Sequence, residues 1–307
     1  MNWKGRSLVS IRQTSRSDIE SWLSLASAMQ ADPAAYHGLL SRSILATLFF
    51  EPSTRTRLSF ESAMARLGGH VISTPNANEM SSAVKGETLS DTIRMVNGYA
   101  DVIALRHPHE GASAEAARVA DIPVLNAGDG VGEHPTQALL DAYAIRRHHG
   151  TLDGMTVTAL GDLAYGRTVH SLALLLAKFD NVTLRTVAPE GLEFPSLLAS
   201  EVRAQGLKLE VFQSLGDAVR DADVLYVTRL QKERLPEHLR NLAGAYAIDR
   251  TGLAALPQHA LIMHPLPRVD ELPEWVDTDP RAGYFDQAKG GVFVRMACLA
   301  TVLGAMA

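Results

Sequence analysis

Cysteine is almost missing from this 307-residue chain, which contains only Cys298. A single thiol permits no intrachain disulfide and no multi-cysteine metal site, so a reducing cytoplasm is the expected compartment. No apolar run reaches the roughly 20 residues that a bilayer-crossing helix needs. The longest, "MACLATVLGAMA" (296–307), is expected as a buried terminal helix. The opening "MNWKGRSLVSIRQTS" lacks the apolar core of about 7–15 residues that marks a secretory signal. Positive charge is not in excess either. A net charge of −5 argues against a surface built to neutralise phosphate backbones, so neither nucleic acid nor membrane is expected as a partner, and any anion site must be local.

Several chemical motifs are absent too. The glycine turn "GDLAYGR" (161–167) lacks the G-x-G-x-x-G of a dinucleotide loop, and no Walker loop or G-x-S-x-G elbow occurs. No His/Cys/Asp/Glu cluster has metal-ligand spacing, so neither a metal nor an organic cofactor is expected.

What is present is an ordinary globular composition, 46% apolar and 21% charged, at a length that suggests two domains of about 150 residues each. Short apolar runs alternate with helical patterns. The strand candidates are 43–50, 101–106, 122–126, 155–160, 182–187, 223–228 and 260–265, and their near-continuous hydrophobicity suits strands buried on both faces of parallel sheets. Ser17 with Glu20, and Thr88 with Asp91, have helix-start spacing ahead of apolar helical faces. The alternation predicts an α/β fold whose series divides most plainly near "RRHHGTLDG" (146–154). Six polar loops follow the carboxyl ends of the strand candidates, where open parallel sheets bind ligands, and this suggests one site shared by two domains.

The densest of these loops is "EPSTRTR" (51–57). Phe60, Met64 and Leu67 share a helical face and Gly68 suits the end, which predicts a helix over about 56–67. Its N-terminus, with Ser53, Thr54, Arg55 and Thr56, is a recipe for a phosphate cradle; a simple N-cap with solvated arginines is the alternative. Arg106 and His107 end one strand candidate. His134 and Gln137 flank Pro135 at a helix start, where His134 is a candidate for hydrogen bonding or acid–base work. Arginines, hydroxyls, amides and one histidine suit polyanion binding and charge stabilisation better than covalent catalysis.

"FFEPSTRTRLSFE", "KGETLSDT", "RHPHEGA", "LNAGDG", "HPTQALLD", "GDLAYGRTVHSL", "TRLQKERL", "HPLPRVDE" and "YFDQAKGGVFVRMA" run in order over nearly the whole chain. Together they resemble the aspartate/ornithine carbamoyltransferase family, and the later segments resemble its aspartate branch. Pro265 stands where ornithine enzymes typically have cysteine, and those enzymes lack "TRLQKER". The resemblance implies two domains, each a parallel β-sheet flanked by helices: 1–135 with about 287–307 for carbamoyl phosphate, and 136–286 for aspartate, the C-terminal helix returning to the first. It implies carbamoyl transfer from carbamoyl phosphate to L-aspartate in pyrimidine synthesis, with ornithine or another amine as the alternative acceptor.

By that resemblance, Ser53, Thr54, Arg55, Thr56 and Arg106 hold the phosphate. Thr56, Arg106 and His134 polarise the carbonyl, while Gln137 and the backbone carbonyls of Pro265 and Leu266 hold the amide. Arg55, Thr56, Arg106 and His134 form the implied catalytic set. Arg167, Arg229 and Gln231 take the aspartate carboxylates. Ser81 and Lys85 reach a neighbouring subunit's site, Lys85 serving both substrates, so a homotrimer with shared active sites is implied, with regulatory chains or a dihydroorotase as further partners. Charges of 228–240, with Glu51, are expected to exchange ion-pair partners on closure. Glu133, beside His134, is expected to face solvent or else to raise the histidine's pKa, and Arg57 to brace the helix or an interface.

Overall fold

The computed structural model describes residues 3–77, 86–231 and 247–306. The chain forms two compact units, Met1–Leu139 with Gly290–Ala307, and Leu140–Lys289. Each is built on its own parallel sheet.

In the first unit, α1 (Arg16–Ala31) precedes β1 (Ile44–Phe49), α2 (Thr54–Arg66), β2 (His70–Thr74), α3 (Leu89–Val96), β3 (Val102–His107), α4 (Ala112–Val119) and β4 (Val124–Asp129). The sheet order is β2-β1-β3-β4, all parallel. From β1 the chain steps to β2 on one side and then crosses to β3 on the other, so the order reverses between β1 and β3. Leu48, Ile103, Leu105 and Val124 fill the core together with Ile93 and Val96 of α3. The segment before α1 extends the sheet: the Leu8 N–H donates to the Val124 carbonyl at 2.9 Å, and the Asn126 N–H to the Leu8 carbonyl at 2.9 Å.

Helix α5 (Pro135–His149) contains the first boundary between units. The second unit then holds β5 (Thr156–Leu160), α6 (Arg167–Leu176), β6 (Thr183–Val187), α7 (Ser196–Ala204), β7 (Lys208–Phe212), α8 (Leu215–Ala218), β8 (Val224–Val227), α9 (Arg250–Ala254) and β9 (Leu261–Met263). Its order is β7-β6-β5-β8-β9, again parallel, with the reversal between β5 and β8. Leu160, Leu225, Val227 and Ile262 pack there with Leu253, Val276 and Tyr284. Helix α10 (Tyr284–Val302) contains the second boundary; its later part belongs to the first unit, where the Val302 carbonyl accepts from the Gly5 N–H at 2.8 Å. The α/β architecture and the returning C-terminal helix are as expected.

Two corrections concern secondary structure. The expected cap of α1, Ser17 with Glu20, is displaced by two residues. Ser15 is the N-cap, and its hydroxyl and Asp18 satisfy each other's backbone N–H groups. The buried stripe Ile19, Trp22, Leu23 and Ala26 is as expected. Strands β2 and β7, absent from the expectation, each lie at one end of their sheet. Each is paired on one side only, and neither has a fully buried residue.

Candidate functional site

In the first unit, the loop after β1 and the end of β3 flank the sheet reversal. Four residues separate the end of β1 from the start of α2, so the N-terminal N–H groups of α2 open at the β1/β3 crevice, where open α/β sheets bind ligands. Ser53 is its N-cap, with extended backbone and no side-chain cap hydrogen bond, so the simple N-cap alternative does not describe its hydroxyl. Thr54 and Arg55 are exposed, and Thr56 is buried. At the other end, Gly68 N–H to Ala65 O and Gly69 N–H to Met64 O, both 3.0 Å, close the helix, with Gly68 at φ +81. A β-carbon on Gly68 would come within 2.7 Å of the Gly38 backbone, so glycine is required there.

Register pairs Phe49 with Arg106, which delivers the Arg106 guanidinium beside the start of α2. It bonds Glu51 at 2.8 Å and the Ala127 carbonyl at 3.3 Å. Glu51 thus has an ion pair with Arg106, which was not among its expected partners; of those, the charges of 228–240, residues 232–240 lie outside the described residues. His107 accepts the His109 N–H on Nδ1 at 3.1 Å. Burial, then the neighbouring His109, holds His107 below the ordinary imidazole pKa, so it is mainly neutral at pH 7. Arg57 bonds Glu61 and Ser73, each at 3.2 Å, and so braces α2 against β2 as expected.

His134, Pro135 and Gln137 follow β4 on the same sheet edge, and Pro135 is the first residue of α5 as expected. His134 and Gln137 are buried, and the His134 carbonyl accepts the Gln137 N–H at 2.9 Å. The expectation that Glu133 faces solvent is replaced. Its carboxylate is buried and turned to the N-terminal segment, accepting from the Ser10 hydroxyl, the Ile11 N–H at 2.9 Å and Arg12 at 2.8 Å. The preceding loop is held by Asp129, which accepts from the Glu133 N–H, Asn126 Nδ2 and the Gly111 N–H at 3.0 Å each.

In the second unit the loop after β5 and the residues after β8 converge at the other reversal. Gly161 has φ +117, and a β-carbon there would collide with the Thr228 carbonyl oxygen, so only glycine lets the two strand ends approach. Asp162 is buried and accepts the Tyr165 N–H at 2.9 Å and the Gln231 N–H at 3.3 Å. Burial pushes its pKa above the usual carboxylate value despite those donors. Gln231 Nε2 in turn donates to the Tyr165 carbonyl at 2.7 Å. Arg167 opens α6 and is only 5% exposed, while Arg229 is half-buried. Pro265 and Leu266, half-buried, follow β9 in the same unit. Ser81 and Lys85 lie outside the described residues.

Sequence reasoning missed the buried support of this half: Asp162, and the histidine and carboxylate of "HPLPRVDE", His264 and Glu271, joined at 2.8 Å. His264 and Glu271 lie in a loop broken by Pro265 and Pro267, where no helical or strand pattern applies, so none marked them as partners.

Two parallel α/β units, each gathering cations and donors at its topological switch point, define a protein that handles anionic ligands at strand carboxyl ends. The chain belongs to the aspartate/ornithine carbamoyltransferase family. Residues 6–147 match the carbamoyl-P binding domain of that family and residues 153–302 its Asp/Orn binding domain. The chain is 54% identical over 263 residues to the chloroplastic aspartate carbamoyltransferase of Oryza sativa subsp. japonica, covering 85% of this chain and 72% of the relative. It is 50% identical over 310 aligned positions to the aspartate carbamoyltransferase catalytic subunit of Thermococcus gammatolerans, covering all of both. Among solved structures, the Trypanosoma cruzi aspartate transcarbamoylase in complex with carbamoyl phosphate and aspartate superposes with a TM-score of 0.92 at 44% identity, covering 98% of each chain. The same enzyme with N-(phosphonacetyl)-L-aspartic acid gives 0.92 at 45% identity, covering 98% of this chain and 97% of that one.

Proposed function

We propose that this chain transfers the carbamoyl group of carbamoyl phosphate to the amine of L-aspartate, yielding N-carbamoyl-L-aspartate and phosphate for pyrimidine synthesis. The observation that carries this reading is Arg106, set by strand register at the N-terminus of α2. That arrangement suits a phosphate: backbone N–H groups, hydroxyls and a guanidinium converge where a helix end already favours an anion.

In this reading Met1–Leu139 with Gly290–Ala307 is the carbamoyl-phosphate domain and Leu140–Lys289 the aspartate domain. Ser53, Thr54, Arg55, Thr56 and Arg106 hold the phosphate, with Ser81 and Lys85 joining from a neighbouring subunit. Thr56, Arg106 and His134 polarise the carbamoyl oxygen; Gln137 and the Pro265 and Leu266 carbonyls hold the amide. Arg167, Arg229 and Gln231, with Lys85, take the aspartate carboxylates, because a dicarboxylate calls for paired cations able to bond it bidentately.

The neutral amine attacks the carbamoyl carbon, and negative charge grows on its oxygen. Fixed donors there lower the barrier by roughly 3–4 kcal/mol each, and holding both reactants in place contributes about 7–11 kcal/mol more. As the C–O bond to phosphate breaks, the departing phosphate is itself a base for the amine proton, so the reaction balances without a metal or organic cofactor.

A homotrimer in the cytoplasm is part of the proposal. Exposed Leu58, Ile72, Met95 and Tyr99 on the first unit support an interface between copies. No described helix is long and apolar enough to cross a membrane. Sizing chromatography with a nucleotide-response assay tests the trimer, and tests whether regulatory chains or a dihydroorotase join it. The central test is an assay with carbamoyl phosphate against a panel of amines: transfer to L-aspartate is expected, and transfer only to ornithine or another amine overturns the assignment.

A further inference from the structure

The loop after β9 is supported by side chains that the proposed reaction does not use. His264 is 1% exposed. Its Nδ1 accepts the Leu266 N–H at 2.8 Å, so the ring's proton sits on Nε2, which donates to Glu271 at 2.8 Å. Leu266 has φ +54, a left-handed conformation that a branched side chain keeps only where its surroundings hold it. The bond to His264 is such a hold.

Behind the ring runs a buried relay. The His264 backbone N–H donates to Gln287 Oε1 at 3.0 Å, and Gln287 Nε2 to Asp141 Oδ1 at 2.6 Å. Asp141 Oδ2 accepts from the Tyr226 hydroxyl at 2.9 Å, and the Thr168 side chain bonds that same hydroxyl. Thr168 directly follows Arg167. Within the second unit, hydrogen bonds therefore connect the helix start bearing Arg167 to the backbone of Leu266.

We propose that His264 is a positioning residue, oriented as its Nε2–H tautomer by Glu271 and backed by Gln287 and Asp141, that aims the Pro265 and Leu266 carbonyls. This rests on the reading that those carbonyls accept from the carbamoyl amide. An imidazole with a proton on Nδ1 cannot accept from Leu266, so the tautomer is part of the device. Glu271 fits the role of orienter. Burial raises its pKa, but the His264 N–H and nearby backbone donors outweigh burial and hold it below the usual carboxylate range, leaving it an ionised acceptor at neutral pH.

Two substitutions separate aim from packing. His264→Asn places an amide oxygen near the position of Nδ1 and keeps an acceptor for Leu266. His264→Gln reaches toward Glu271 but removes that acceptor. Steady-state kinetics on the full-length assembled protein, with thermal melts, should show kcat/KM for carbamoyl phosphate falling about 10²-fold in His264→Gln, the scale of a misplacement of about 1 Å, while His264→Asn stays within about tenfold of wild type. Equal losses in the two, or a lowered melting temperature with unchanged kinetics, overturn the proposal. If His264→Gln does not fold, Glu271→Gln against Glu271→Leu carries the test: the glutamine, still an acceptor, should keep activity that the leucine loses, and equal activities overturn the assignment. A wild-type protein that transfers nothing to L-aspartate overturns the functional reading itself, a result distinct from an active wild type with indistinguishable variants.

Discussion

In the proposed function the two units bind anions differently. At the first, strand β1 runs almost directly into α2, and the donors are helix-end N–H groups with exposed Thr54 and Arg55 in front of them. At the second, a longer loop separates β5 from α6, and the cation Arg167 is buried with a fixed carboxylate, Asp162, tying the loop to the β8 end. A helix end supplies donors from backbone geometry alone, so its side chains can stay in solvent. A side-chain cation that must meet a carboxylate at a set distance has no such backbone substitute and is held by packing. The first half is therefore expected to be rich in function and poor in stability, and the second to combine the two.

Arg106→Ala sharpens that contrast most. Removing the guanidinium should lower kcat/KM by about 10²–10³-fold, the scale of losing one donor to developing charge. The melting temperature should fall by less than in Arg167→Gln, because Glu51, the ion-pair partner of Arg106, keeps a quarter of its side chain in water and can turn to it, although the bond to the Ala127 carbonyl is lost. A loss below tenfold would remove the first switch point from the chemistry.

Arg167→Gln should act on both properties. Charge-assisted hydrogen bonds of about 1.5–3 kcal/mol correspond to a rise of roughly 10–150-fold in KM for L-aspartate. The variant should also melt several degrees lower, since the packing of a side chain only 5% exposed is lost with it. Equal melting shifts in Arg106→Ala and Arg167→Gln would break the comparison.

Glu133→Ala tests the first unit away from its donors. It strips three hydrogen bonds from the segment Ser10–Arg12, and a cost of about 2 kcal/mol is expected from denaturant unfolding. Glu133→Gln should recover part of it, since an amide oxygen still accepts.

These predictions depend on features that differed in how well the sequence displayed them. The seven strands with an apolar run, β1, β3, β4, β5, β6, β8 and β9, were legible; β2 and β7 were not, because a strand with no fully buried residue carries no such run. Arg106 was legible because it ends a strand candidate, where parallel sheets direct ligands, whereas Arg167 was named only through the family resemblance. The partners of Glu133 lie 121 to 123 residues away, and no local pattern records a tertiary cap. The start of α1 failed for a subtler reason. Ser15 with Asp18 and Ser17 with Glu20 offer the same spacing, and tertiary context chose between them.

Acid and base should act oppositely on two carboxylates of the second unit. Asp162 has a raised pKa in the folded state, so the folded chain holds its proton longer; its stabilising share is present below the ordinary aspartate pKa and is lost as pH rises through the folded value. Glu271 has a lowered pKa, so its share is present above the ordinary glutamate pKa and is lost as pH falls through the folded value. In urea titrations across pH, Asp162→Asn should flatten the decline on the alkaline side of the ordinary aspartate pKa. Glu271→Gln should flatten the decline on the acid side of the ordinary glutamate pKa. Slopes of the same sign would show that the two environments are not distinct.

The smallest effect is expected at Arg57, the one arginine of the "STRTR" run that turns away from the helix end. It spans Glu61 one turn on and Ser73 of the edge strand, and both ion-pair partners keep a fifth to a quarter of their side-chain surface in water. A pair so placed contributes under about 1 kcal/mol, because solvent screens the attraction and two long side chains must be ordered to form it. Arg57→Ala should therefore lower stability by less than that, more so at low than at high salt, and leave KM for carbamoyl phosphate at the wild-type value. A selective loss of carbamoyl-phosphate affinity with unchanged stability would return Arg57 to the cradle and show that the helix end needs both arginines.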